Sequence, residues 1–161
     1  MQEVIINKQA RLSEHFTLGE MCKTSAKTAD GNIPSHVHIE NLKRLCGWLE
    51  MLRSEWNRRY GEGNSDDPII INSGYRSEAV NKAVGGAKGS NHLTGCAADI
   101  RVADIEQALR YAVILLDISD ESREDFDELL LERSPKGGYW LHFAVRPSDN
   151  RRKVRLIQSL R

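Results

Sequence analysis

Between Val37 and about Tyr60, apolar residues recur at Ile39, Leu42, Leu45, Leu49, Leu52 and Trp56, in the three- and four-residue steps that trace one stripe along a helix. A helix of that length cannot bury such a stripe by itself, so the rest of the chain must supply a facing layer. Gly61 stands at the stop position and Pro68 lies beyond it, after which Ile69, Ile70 and Ile71 are β-branched and predict a short strand. The facing layer is therefore expected to be a sheet.

Three more strands fit that expectation. Ala97 to Val102 is small and apolar, and Asp127 to Arg133 and Tyr139 to Val145 are joined by SPKGG, whose Pro and Gly predict a hairpin turn. A second helix is predicted over Asp104 to Leu116, capped by Asp104, with Ile105, Leu109, Ala112 and Leu116 on its buried side. Thr17 and Glu20 have the spacing of a capping box, which starts a short helix near Leu18, and Ser77 caps a helical turn through Ala83. CKTSAKTADGNIPSH, the Gly-rich GGAKGSNH and ISDESREDF read as loops, and the basic DNRRKVRLIQSLR closes the chain as a strand or a docked helix. The sum is an α+β fold, a small antiparallel sheet flanked by helices, forming one domain over residues 1–161.

Composition removes several functions. The chain has 161 residues with 23 Lys plus Arg against 23 Asp plus Glu, which does not suit a polybasic nucleic-acid binder. No run approaches the roughly 18 to 20 apolar residues that cross a bilayer, and MQEVIINKQARLSEHF lacks the pattern of a secretory leader. The expectation is synthesis in a cytoplasm, no membrane insertion, and action as a monomer. Cys22, Cys46 and Cys96 are widely spaced with no CxxC pair, so they are read as buried thiols. Gly85, Gly86 and Gly89 do not make a phosphate-binding loop, because Lys88-Gly89-Ser90 lacks the spacing that precedes one. His36 and His38 are read as surface groups ahead of the long helix, and Trp48 and Trp56 as packing residues.

The densest chemistry lies in Ser90-Asn91-His92-Leu93-Thr94-Gly95-Cys96-Ala97-Ala98-Asp99. Imidazole and carboxylate are both good zinc ligands, and His142 in Tyr139-Trp140-Leu141-His142-Phe143 offers a third, sharing a strand face with Trp140 and Ala144. Three protein ligands with an open fourth position describe a catalytic zinc site. The competing structural reading has His92 closing a loop, Asp99 paired with Arg101 or Arg76, and His142 as a core histidine.

Taken whole, SGYRS, then S-x-H-x-x-G-x-A-x-D, then W-x-H resembles the zinc D-alanyl-D-alanine carboxypeptidase family, whose fold is shared with lysostaphin-type endopeptidases and the hedgehog signalling domain. The resemblance covers roughly Phe16 to Val145. It implies zinc as cofactor, His92, Asp99 and His142 as ligands, and Arg76 as the group that binds substrate and steadies the oxyanion. It also implies Ser90 and Trp140 at the substrate, and peptidoglycan stem peptides with D-amino acids as substrates of a carboxypeptidase or endopeptidase. A form without a leader would suit a phage or prophage endolysin acting on the cell wall after release, or a bacterial protein exported by another route.

One departure stands out. The family places an acid three or six residues before the last histidine, where this chain has Tyr139 and Lys136. The nearest upstream acid is Glu132, which strand pairing can bring opposite His142 or its neighbours. Glu132 is therefore assigned as general base, ahead of Glu128 and then Asp127. The displaced acid also motivates a rival reading, a non-catalytic zinc module that binds peptide or protein.

Overall fold

A computed structural model describes residues 6–158. Its elements run in the order α1 (Leu18–Met21), α2 (His36–Tyr60), β1 (Ile71–Ser73), α3 (Glu78–Ala83), a 3-10 turn at Asn91–Thr94, β2 (Ala97–Arg101), α4 (Ile105–Ser122), β3 (Glu128–Arg133), β4 (Tyr139–Ala144) and β5 (Lys153–Gln158). The strands form one sheet in the order β1-β2-β4-β3-β5.

The first four strands pair antiparallel, as the sequence leads one to expect, whereas β5 adds parallel to β3 and makes the sheet mixed. The physical reason is a reversal at 146–152 that brings the chain back alongside β3: Arg152 and Lys153 donate their backbone N–H groups to the Phe126 and Asp127 carbonyls at 2.9 Å each. Of the two outcomes open for the basic closing segment, the strand is the one formed. Its last residues, including Arg161, lie outside the described residues.

Strand alternation divides the sheet into two unlike faces. Ile100, Leu141, Phe143 and Leu129 point to one side and are buried with Leu42, Leu45, Leu49 and Leu52 of α2 and with Ile114, Leu115 and Ile118 of α4 in a single core. Aromatic rings lock the layers, with Trp48 against Phe143 at 5.5 Å and Trp56 edge-on to Tyr111 at 4.8 Å. The opposite face carries Asp99, His142 and Leu130 in one cross-strand row. One side of the sheet thus builds the core, and the other carries polar side chains.

Local signals explain most boundaries. Thr17 and Glu20 complete the capping box of α1, Ser77 caps α3 and Asp104 caps α4. Helix α2 is capped by Ser35 and includes His36 and His38, which lie in its first turn rather than ahead of it; His38 Nδ1 accepts the Ser35 N–H, and the ring stacks on Tyr75. Strand β1 begins at Ile71 and runs straight into the SGYRS turn, later than the isoleucine run suggested.

Helix α4 departs furthest from the pattern read in its sequence. Leu109 is 52% exposed and Ile105 is 41% exposed, while Ala108, Tyr111, Ile114, Leu115 and Ile118 are buried, so the true apolar stripe is rotated from the expected one. The helix is apolar around much of its circumference, and the sheet decides which stripe is covered. It also runs on to Ser122, where Arg123 adopts a left-handed conformation, so much of the expected connection ISDESREDF is helix.

The stretch between α1 and α2 is held down by Asn32. This residue is buried and left-handed at φ 53°. Its Nδ2 donates to the Cys22 and Tyr75 carbonyls at 2.9 and 3.2 Å, and its Oδ1 accepts the Ser77 N–H at 2.7 Å. A polar loop is thereby tied to the turn that carries Arg76. Asn32→Ala should lower unfolding free energy by about 2–4 kcal/mol, through a stranded Ser77 N–H and the strain of a Cβ without compensating bonds. Asn32→Gly should recover about 1 kcal/mol of that, because glycine accepts the conformation but not the bonds. Urea unfolding of the two variants checks both figures.

Candidate metal centre

The row across the sheet places Asp99 of β2 directly opposite His142 of β4, and Ser73 of β1 opposite Asp99. His92 reaches the same point from the 3-10 turn, whose cap is Ser90 accepting the His92 N–H at 3.2 Å. Gly95 closes that turn at φ 74°, and a side chain there would run into the His38 carbonyl. The motif spacing between His92 and Asp99 is therefore the length of one tight turn plus the entry to β2.

The three side chains are buried, and one ligating atom from each lies within 4.8 Å of those of the other two. His92 Nδ1 lies 2.6 Å from the Gly74 carbonyl, to which only an N–H can be donating, so its Nε2 presents a lone pair. That lone pair faces Asp99 Oδ1 at 3.2 Å. His142 Nδ1 faces the same Oδ1 at 3.1 Å, while its Nε2 is 2.9 Å from Glu128 Oε2. The His92 lone pair thus meets a carboxylate oxygen, two acceptors in contact, an arrangement that a cation seated between them would satisfy. Zinc bonds of about 2.0–2.1 Å in a tetrahedron would set ligand atoms about 3.3 Å apart, close to these spacings. The donor set of His92 Nε2, Asp99 Oδ1 and His142 Nδ1 fits such an ion.

Electrostatics follow from the same contacts. Burial keeps His92 neutral, lowering its pKa below the ordinary 6.5. Burial opposes the charged form of His142 too, but hydrogen bonds and charge from Asp99 and Glu128 prevail and hold its pKa at about 9. Asp99 is disfavoured as an anion by burial, yet the neighbouring histidines keep it ionised well below the usual carboxylate range. Its second oxygen, Oδ2, accepts from Arg76 Nη2 at 2.8 Å, and Arg76 Nε donates to Ser73 Oγ at 2.9 Å.

A cleft of about 170 Å³ opens over this group, lined among others by Arg76, Gly86, Ser90, His92, Glu128, Glu132 and His142. Glu132 lies opposite Trp140 across the β3–β4 pair and accepts the indole N–H at 2.6 Å. Trp140 is thereby joined to the cleft through Glu132. Glu128 also lines the cleft, and the hydrogen bond to His142 sets its pKa near 2. Asp127 is fully buried and accepts from Arg151 and Asn91, so its carboxylate is turned away from any task in the cleft.

His92, Asp99 and His142 thus meet at one point, with Arg76, Ser90, Glu128 and Glu132 around the cleft above them. The sequence reading missed the partners that orient them: the Gly74 carbonyl, Ser73, Asn91 and Arg151. Gly74 had a signal, since a side chain there would collide with the Met21 carbonyl and only glycine fits the SGYR turn. Arg151 had none, because it looks like any base in a charged terminal run. The cysteines are all free and buried, as expected. No described helix is long and apolar enough to cross a membrane.

Residues 14–118 match the sequence model of a family described as Peptidase M15. That stretch holds Arg76, Ser90, His92 and Asp99 but ends before Glu132, Trp140 and His142. The chain is also similar to the zinc D-Ala-D-Ala carboxypeptidase of Streptomyces albus G, at 29% identity over 86 residues, which are 53% of this chain and 31% of that protein. The alignment spans about a third of the length of that relative.

Because the folded pKa of His142 is raised from 6.5 to about 9, its protonation stabilises the metal-free fold fully below pH 6.5, and that stabilisation is lost as pH climbs through about 9. In chelator-treated protein, the melting-temperature gap between wild type and His142→Gln should be wider at about pH 6.5 than at about pH 9.5. A gap independent of pH would contradict a charged His142.

Proposed function

The chain belongs to the M15 peptidase family, and from that membership we propose that this zinc peptidase hydrolyses peptide bonds in the D-amino-acid-containing stem peptides of peptidoglycan. The observation that carries the reading is the buried His92, Asp99 and His142 cluster at the floor of a cleft that also contains two carboxylates and an arginine. A zinc ion held by His92, Asp99 and His142 would supply a Lewis acid for the peptide carbonyl and lower the pKa of attacking water.

The chain's own residues supply the rest. Glu132 takes the proton from water as it attacks and passes it to the departing amine, so the carboxylate ends the cycle as it began. Trp140 holds Glu132 Oε2 through its indole N–H and fixes the direction in which the acid faces. Arg76 borders the cleft with a guanidinium that is permanently charged, suited to steadying the tetrahedral oxyanion or a substrate carboxylate. Its bond to Asp99 gives it a further duty, holding Oδ2 so that Oδ1 faces the histidines. Ser90 shapes the loop wall by capping the turn that carries His92.

Purified protein should contain one equivalent of zinc and cleave muropeptides in a chelator-sensitive way, with the fragment mass naming the bond. A metal-loaded protein that leaves every muropeptide intact would refute the peptidase reading and favour a binding module. Glu132→Gln should keep its zinc and lose about 10²–10⁴-fold in kcat, the usual scale of general-base catalysis. His92→Ala should lose both zinc and turnover, as metal analysis would reveal.

A further inference from the structure

Glu128 and Glu132 lie on the same face of β3, one on each side of Leu130, and Leu130 is the cross-strand partner of His142. By position alone, either acid can serve the reacting centre. Their partners separate them.

Both oxygens of Glu128 are engaged by groups from three other parts of the chain. Oε2 lies 2.9 Å from His142 Nε2 and 3.1 Å from Asn91 Nδ2. Oε1 lies 3.1 Å from Arg151 Nη2 and 3.8 Å from Lys153 Nζ. Arg151 is itself anchored: its Nε and Nη2 reach the two oxygens of Asp127 at 3.0 and 2.7 Å, and its backbone N–H donates to Asp127 Oδ1 at 3.1 Å. Asp127 is fully buried, so this anchor is exchanged for nothing in solvent. The backbone bonds from Arg152 and Lys153 to Phe126 and Asp127 keep the segment seated beside β3.

We propose that Glu128 is a positioning residue for the metal centre, holding the His142 ring through Nε2 so that Nδ1 faces Asp99, and that Arg151 keeps Glu128 in that task. The inference rests on the zinc reading of the site. An imidazole on a strand can turn about its last torsion and present carbon instead of nitrogen to Asp99; a fixed acceptor on Nε2 removes that freedom. The same acceptor makes the ring a stronger donor to a cation. The segment before β5, far in sequence from His92 and Asp99, thereby becomes part of the metal site.

The test measures zinc affinity by competition with a chromophoric chelator, alongside turnover, in Glu128→Ala, Glu128→Gln, Arg151→Gln and Glu132→Gln. Glu128→Ala should weaken zinc binding about 10–100-fold, the scale on which outer partners of metal ligands act. Glu128→Gln should weaken it less, since the amide oxygen still accepts the Nε2–H, and Arg151→Gln should shift affinity in the same direction. Turnover of the Glu128 variants should return as zinc is added, whereas Glu132→Gln should bind zinc as wild type does and stay inactive at every zinc concentration. Wild-type zinc affinity in both Glu128 variants, with turnover lost beyond rescue by zinc, would overturn the proposal and make Glu128 the base. Unchanged affinity in Arg151→Gln would overturn the part assigned to Arg151. Should the alanine variant fail to fold by circular dichroism, the glutamine variant, matched in size, decides alone. A wild-type chain that takes up no zinc overturns the underlying reading, an outcome distinct from normal uptake in the Glu128 variants.

Discussion

The Asp99 carboxylate sits on β2, between β1 and β4, and is shared among His92, His142 and Arg76. A charge buried in such a place is costly unless every lone pair finds a partner. Much of the local architecture meets that demand. The SGYR turn brings Arg76 to Oδ2 and the Gly74 carbonyl to His92, and the β2–β4 register brings His142 to Oδ1. Asn32, remote from the centre, matters because it fixes the turn from which Arg76 projects. Removing Asp99 would leave a buried arginine and a buried imidazolium facing each other, so the acid is a structural necessity in its own right.

How much of this could be read beforehand follows from what each feature depends on. The long helix, the hairpin and the capping boxes rest on neighbours within a few residues, and they are written plainly in the sequence. The phase of α4 is not, because Ile105, Leu109 and Val113 form as good an apolar stripe as Ala108, Tyr111 and Leu115, and only the sheet beneath decides between them. The parallel placement of β5 is likewise invisible, since it depends on a reversal built from backbone bonds to Phe126 and Asp127. The meeting of His92, Asp99 and His142 was suggested by the resemblance of the whole motif to a zinc peptidase family, since each residue alone reads equally as structural. Their outer partners were not, because a carbonyl of glycine and an arginine in a charged tail carry no chemical label.

The two acids of β3 show why type and alternation cannot assign roles by themselves. Glu128 and Glu132 share a strand, a face and a cleft. Glu128 is held by an arginine, a lysine, an asparagine and a histidine, while Glu132 accepts the Trp140 indole N–H. A carboxylate surrounded by cations is a poor proton acceptor, because the charge that would draw the proton is already neutralised. The distance from His142 in sequence, which departs from the family's pattern, thus matters less than the strand register that returns Glu132 to the cleft.

Charge accounting links the outer partners to the chemistry. Without metal, the His142 proton sits between Asp99 and Glu128 and lets two buried carboxylates coexist on either side of one ring. Exchanging that Nδ1 proton for a divalent ion would leave the cluster one charge more positive, while the Nε2 proton would stay on His142, donated to Glu128. The surplus lies beside the cleft, where Arg76 already contributes positive potential. Under the proposed reaction, that surplus would favour an oxygen gaining negative charge as a peptide carbonyl is attacked. A neutral partner at position 128 would spread still more positive charge over the site, but it would loosen the ring proposed to carry the third ligand atom. The anionic partner trades some field strength for a fixed donor, and Arg151 returns part of that field from behind.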